Sequence, residues 1–218
     1  MGLDLSPEIV RQAILDLLIF IISFAVHEWG HAKMADLLGD HTPRSEGRVT
    51  LNPIAHIDPV GTILMPLLSS FGMFGSIGLI GWAKPVYTNP ANFRNRNTDQ
   101  ALVTIAGPAM NFALALVAVL GAAGLYHLVP TIVPLLLRVV SINVMLIVFN
   151  LLPIPPLDGS KFLMYWFGMS EETYMRISQW GGFFLLLLVN VEKFQILIIT
   201  LENYGNRFFT ALFYLIAR

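Results

Sequence analysis

Two histidines separated by one helical turn, with a glutamate beside the first, are the residues of this chain whose types and spacing can do chemistry: His27-Glu28-Trp29-Gly30-His31. At about 3.6 residues per turn His27 and His31 share a face, so two imidazoles can grip one zinc ion while Glu28 handles a water there. The spacing also arises by chance in unrelated chains, and its setting is what gives it weight. The motif lies at the end of an apolar run, where three ionisable side chains are costly unless they are ligated or paired.

A catalytic zinc usually has three protein ligands and one open position, so the histidines need a partner. The chain has no cysteine, which excludes thiolate ligands and disulfides and leaves His, Asp or Glu. Asp158 is favoured, because an acid beside a proline-broken helix in an apolar chain costs free energy unless something positive neutralises it. It could instead cap a segment starting at Gly159. His56, Asp58 and His127 are also open as ligands. The first two sit in a polar loop that suits turn roles, and His127 falls on the opposite membrane face.

The elements that must position these residues are membrane helices. Of 218 residues, 56% are hydrophobic and 12% charged, and the mean hydropathy is +0.68, far from the roughly one-quarter charged residues of a soluble domain. A net charge of −1 with no basic run argues against nucleic acid as a partner. Residues 1–7 lack the basic start and cleavage site of a removable leader, so the first apolar segment is expected to stay.

One long helix is expected over residues 9–38, opened by Ser6-Pro7-Glu8 and closed by Gly39-Asp40. Residues 60–82 are apolar but interrupted by Pro66, Ser69-Ser70 and the glycines at 72, 75, 78 and 81. They read as a re-entrant hairpin with arms at 61–68 and 77–82 rather than as a glycine-rich span. Spans are expected at 101–128 and 135–152, the second broken by three prolines before Asp158. An apolar segment follows at 179–191, and the tail from 194 reads as a poor final span or a helix lying on the surface.

The fold class is therefore an all-α polytopic membrane protein with about four to six transmembrane helices and a re-entrant hairpin near residues 60–82. It forms one integral-membrane domain over residues 1–218, with a core at about 9–167 and C-terminal helices at about 172–218. Arg44 and Arg48 in one loop and Lys84, Arg94 and Arg96 in another mark the cytoplasmic side, which places the turn near His127 outside.

The motif His27-Glu28-Trp29-Gly30-His31, followed by Asn150-Leu151-Leu152-Pro153 and Leu157-Asp158-Gly159, resembles the site-2 protease family of intramembrane zinc metalloproteases, peptidase family M50. The resemblance extends to Ala106-Gly107-Pro108-Ala109-Met110-Asn111 and to Gly81-Trp82-Ala83-Lys84-Pro85-Val86, typical of the compact branch without a PDZ domain. It implies one catalytic Zn2+ on His27, His31 and Asp158, with Glu28 as the base. Asn150 resembles the family asparagine that helps hold substrate or oxyanion. Asn111 could act at the site or simply close a helix contact.

The implied activity is hydrolysis of peptide bonds in a transmembrane protein substrate, within the lipid bilayer. The implied location is a multi-pass protein of the inner or plasma membrane with its site near the cytoplasmic face. The hairpin could pair with an unwound substrate as an added strand. No PDZ or nucleotide-binding domain follows the last motif, so substrate selection is left to other parts or partners. Two other readings compete: a divalent-metal transporter using the same His, His and Asp, and an inactive scaffold that binds membrane helices.

Overall fold

The computed structural model describes residues 6–71 and 81–217. Helix α1 runs from Pro7 to Leu37, starting where a proline fits the first turn because its missing N–H would have no partner there. It stops at Gly39, whose φ of 103° lets Asp40 N–H bond back to the Ala35 carbonyl at 2.9 Å, a glycine-dependent helix stop. Next come a one-turn helix, Thr42–Ser45, and a 3-10 turn, Pro53–Ala55.

Helix α2, Pro59–Ser70, is apolar and short. At about 1.5 Å per residue it reaches roughly 18 Å, too short for a hydrocarbon core of about 30 Å. Its first turn is π-wound over Pro59–Leu64 and is capped by Asp58, whose carboxylate accepts the Val60 and Gly61 N–H groups at 3.0 and 2.7 Å. The chain is back beside that start at Trp82, whose N–H bonds the Gly61 carbonyl at 3.0 Å and whose own carbonyl accepts the Thr62 hydroxyl at 2.9 Å. The two ends of the expected hairpin thus lie side by side. Its first arm is helical, and most of its second arm, with the bend, lies outside the described residues.

Helices α3, Arg96–Leu125, and α4, Val133–Asn150, complete the bundle. With α1 they are long and apolar enough to cross a membrane. Helix α5, Glu171–Leu188, and helix α6, Glu192–Ile216, meet at 91° and qualify as a fourth span only when taken as one bent element. The all-α membrane architecture is as expected; among the described residues there are three spans, or four if the bent pair is one, against the four to six expected.

Helices α3 and α5 start several residues before their apolar runs because polar caps set the starts. Asp99 accepts the Asn95 N–H at 3.0 Å, and the Ser170 hydroxyl accepts the Thr173 N–H at 3.2 Å.

The core sits on small residues. Ala115, Ala118, Val119, Ala122 and Ala123 form one stripe of α3 that packs against Val133, Val140 and Val144 of α4 and Phe209 and Phe213 of α6. Such a stripe lets helix backbones approach closely, the main source of packing where lipid removes the hydrophobic drive. Helix α6 follows α4 from end to end: Ile198 packs with Leu152 past its C-terminus, and Phe213 packs with Val133 at its start. The tail is thus a helix packed alongside α4.

Helix α1 meets α4 through Ile19, Phe20 and Phe24 against Ile142, Met145 and Leu146. The same pair carries a two-pronged ion pair, Arg138 to Asp16, at 2.7 and 2.5 Å, which offsets the cost of charge at that depth.

Candidate metal centre

The HExxH face of α1 is pressed against α3 because neither helix carries a side chain at the crossing. A Cβ on Gly30 would stand 2.7 Å from the Ala106 carbonyl oxygen; one on Gly107 would stand 2.7 Å from His27 Nε2 and collide with His31. Both distances are below any real contact, so glycine is required at both positions. The close approach lets α3 hold the imidazoles from behind. His31 Nδ1 lies 2.7 Å from the Val103 carbonyl, and His27 Nδ1 lies 2.7 Å from Asn111 Oδ1. Each of these oxygens only accepts, so each ring donates from Nδ1, which in the neutral imidazole leaves Nε2 bare.

The support goes deeper than α3. Asn111 Nδ2 donates to Asn143 Oδ1 at 3.0 Å, and Asn143 Nδ2 donates to Ser23 Oγ at 3.0 Å and to the Val139 carbonyl at 2.8 Å. This chain of polar side chains ties α3 to α4 and returns to α1. All of its members are buried, where a satisfied network stiffens its surroundings.

Asp158 comes from the loop after α4. The loop turns tightly on Gly159, whose Cβ would overlap the Leu151 carbonyl. Asp158 Oδ2 lies 3.1 Å from His27 Nε2 and 3.0 Å from His31 Nε2, and the two Nε2 atoms are 3.0 Å apart. With both rings neutral, three lone-pair acceptors therefore converge with no protein proton between them. That arrangement calls for a cation. Tetrahedral ligands at about 2.0 Å from a zinc ion stand roughly 3.3 Å apart, close to these separations. Among the described residues, this trio is the group of His and acidic side chains that could hold a metal ion.

The other Asp158 oxygen, Oδ1, accepts from Lys161 Nζ at 2.8 Å. Burial alone would push the Lys161 amine down, but the Asp158 carboxylate outweighs it and raises its pKa, so the lysine stays charged. This division of the carboxylate, one oxygen toward the imidazoles and one toward a cation, fixes its orientation.

Glu28 faces a different group. Its Oε2 accepts the Val86 N–H at 3.2 Å and lies 3.9 Å from Arg48 Nη2. Residues 81–86, outside any helix, run past it, with the Lys84 N–H bonded to the His56 carbonyl at 2.9 Å.

Asn150 closes α4 and turns one amide N–H onto its own Leu146 carbonyl at 2.9 Å. It lines a cavity of about 560 Å³ rather than the imidazole trio. The cavity is bounded mainly by Phe20, Phe24, Trp82, Met145 and Phe183, and it runs between α1, α4 and α5.

The alternative ligands stand elsewhere. Asp58 caps α2. His56 is buried with Nε2 on the Thr50 carbonyl at 2.9 Å, and burial pushes its imidazole down toward the neutral form. His127 is exposed at the far end of α3, 3.2 Å from the Ala217 carbonyl.

Four residues of this surrounding shell were not singled out in the sequence: Arg48, Lys161, Asn143 and Ser23. Asn143 carried a usable signal, being a polar amide inside an apolar span. Lys161 carried a weaker one, three residues after Asp158. Nothing separates Arg48 from Arg44 before folding.

Comparison with known proteins agrees with this geometry. The model of peptidase family M50 matches residues 127–189, the stretch holding Asn150 and Asp158. The protein named "Putative zinc metalloprotease YwhC" of Bacillus subtilis is 36% identical over 179 residues, covering 78% of this chain and 77% of that one. "Putative zinc metalloprotease Rip2" of Mycobacterium tuberculosis H37Rv is 33% identical over 141 residues, 64% of this chain and 52% of that one. Its Mycolicibacterium smegmatis namesake is 33% identical over 177 residues, 78% of this chain and 63% of that one. No solved structure matches. The family match, the relative covered over most of its length and the converging His27, His31 and Asp158 lead to one conclusion: the chain belongs to the site-2 protease family, peptidase family M50, whose cofactor is zinc.

Proposed function

We propose that this integral-membrane zinc metallopeptidase cleaves transmembrane segments of other proteins, with His27, His31 and Asp158 as metal ligands and Glu28 as the base. The observation that supports it is the trio of bare acceptors 3.0–3.1 Å apart with an unligated carboxylate beside them. Zinc, when bound, would supply Lewis acidity and bring the pKa of a water down toward about 7. Glu28 takes the proton from that water and returns it to the leaving amine. Oε2 is held by Val86 and Arg48, which leaves Oε1 for this exchange. Asn150 borders the cavity and keeps a second amide N–H for a substrate carbonyl.

A substrate helix hides its carbonyls in its own hydrogen bonds and must open before it is cut. The strip 81–86, which lies outside any helix, offers replacements. Its Trp82 and Lys84 N–H groups are spent on the Gly61 and His56 carbonyls and Ala83 between them is buried, so an unwound segment would add there as a strand by displacing what covers Ala83. Apolar substrate side chains would then enter the 560 Å³ cavity. The membrane face of the site is read as cytoplasmic, from the Arg44, Arg48, Lys84, Arg94 and Arg96 loops.

The test is cleavage of a model transmembrane substrate in liposomes by the wild type and Glu28→Gln, with zinc uptake followed in the same vesicles. Cleavage lost in Glu28→Gln, with no zinc flux in either, is expected. Zinc flux that survives in Glu28→Gln, without cleavage by the wild type, would favour the transporter and overturn the reading.

A further inference from the structure

Arg48 has entered so far only as a neighbour of Glu28 Oε2, yet it is 3% exposed, whereas Arg44, four residues before it, faces solvent. Its guanidinium meets three separate parts of the chain. Nη1 donates to the Ala55 carbonyl, Nη2 donates to the Lys84 carbonyl, and Nη2 also lies 3.9 Å from Glu28 Oε2.

Those contacts close a circuit. Lys84 is held on both its polar groups, its N–H by the His56 carbonyl and its C=O by Arg48. Two residues further on, the Val86 N–H holds the same Glu28 oxygen that faces Arg48. Among the described residues Arg48 is the cation paired with Glu28. A planar fork can bridge two carbonyls and a carboxylate at once; an ammonium on a flexible stem cannot hold all three.

The geometry points to Arg48 as a positioning residue that locks the strip 81–86 to Glu28, so that a substrate strand added to the strip arrives in register with the base. The inference rests on the peptidase reading and adds to it the residue that couples substrate alignment to the base. Arg48 touches none of His27, His31 and Asp158, so its loss should leave metal binding intact. A misplacement of about 1 Å between base and substrate costs on the order of 100-fold in rate.

The experiment uses the full chain in liposomes with a model transmembrane substrate and compares wild type, Glu28→Gln, Arg48→Ala and Arg48→Lys for zinc content, KM and kcat. It adds guanidinium chloride to the Arg48→Ala assay at millimolar concentration. Arg48→Ala should keep wild-type zinc, raise KM, lower kcat/KM about 100-fold, and recover at least tenfold with guanidinium; Arg48→Lys should fall between. Arg48→Ala within threefold of wild type overturns the proposal. So does loss of zinc together with activity, without rescue by guanidinium. If Arg48→Ala does not fold, Arg48→Lys decides, and wild-type KM and kcat in it overturn the proposal. Cleavage by Glu28→Gln would instead overturn the peptidase reading, and this proposal with it.

Discussion

Zinc affinity in this site depends on which nitrogen of each imidazole carries the proton, and Asn111 decides it for His27. Its Oδ1, 2.7 Å from His27 Nδ1, keeps Nε2 free for metal. Losing such a partner typically weakens metal binding by about 10–100-fold. Asn111→Leu should therefore lower zinc affinity by about that factor in competition with a chelator, while His127→Ala leaves zinc affinity and cleavage near wild type. Equal affinity in Asn111→Leu would show that the tautomer is set in some other way.

The pair His27 and His31 was legible at this scale because a helix converts a spacing of four into a shared face. Asp158 was legible as a charge that needed a counter-charge. The role of Asn143 was not, since its partners Asn111 and Ser23 come from other helices, and that of Lys161 was not, since it depends on how Asp158, three residues away, divides its two oxygens.

Between elements, Asp40 fixes the end of α1 to the turn that leads into α3. Its carboxylate accepts from Thr42 N–H at 3.1 Å, Thr42 Oγ1 at 2.6 Å, Asn89 N–H at 2.7 Å and Asn92 Nδ2 at 2.8 Å. Burial works against its charge, but these donors outweigh burial and hold its pKa below the usual carboxylate range. A depressed folded-state pKa contributes stability above the unfolded value of about 3.9, lost as pH falls through the folded value. Asp40→Ala should lower stability by about 1–3 kcal/mol, and it should flatten the loss of stability below about pH 4. Thermal unfolding across pH checks both parts; an unchanged acid slope would assign the acid sensitivity to other carboxylates.

Helix existence was readable from apolar runs, and the start of α1 from Ser6-Pro7, but the starts of α3 and α5 were not, because Asp99 and Ser170 extend those helices through polar residues that no membrane periodicity marks. The short reach of α2 was readable from Pro66 and the glycines that follow.

Over the whole molecule, the chain returns beside Gly61 at Trp82, so the loop before residue 59 and the loop after residue 82 lie together at one end of the bundle, and the charge reading puts them on one membrane face with the α3–α4 turn on the other. The chain has no cysteine of its own, so single introduced cysteines report cleanly. Glu46→Cys and Thr98→Cys should label from the cytoplasmic side with an impermeant maleimide, and Leu128→Cys from the other. Opposite labelling of the first two would mean that residues 59–82 cross the membrane. The path of α6 along α4 was not readable from the tail, because Glu202 to Arg207 interrupt its apolar pattern and its position is set by the small-residue surface of α3 and by α4.

Metal content and cleavage measured side by side on purified wild type, Glu28→Gln and Asp158→Ala test the central claim most directly, that one zinc on His27, His31 and Asp158 serves a base at Glu28. The expected result is one zinc and cleavage in the wild type, one zinc without cleavage in Glu28→Gln, and neither in Asp158→Ala. Full zinc in Asp158→Ala, or cleavage by Glu28→Gln, would contradict it.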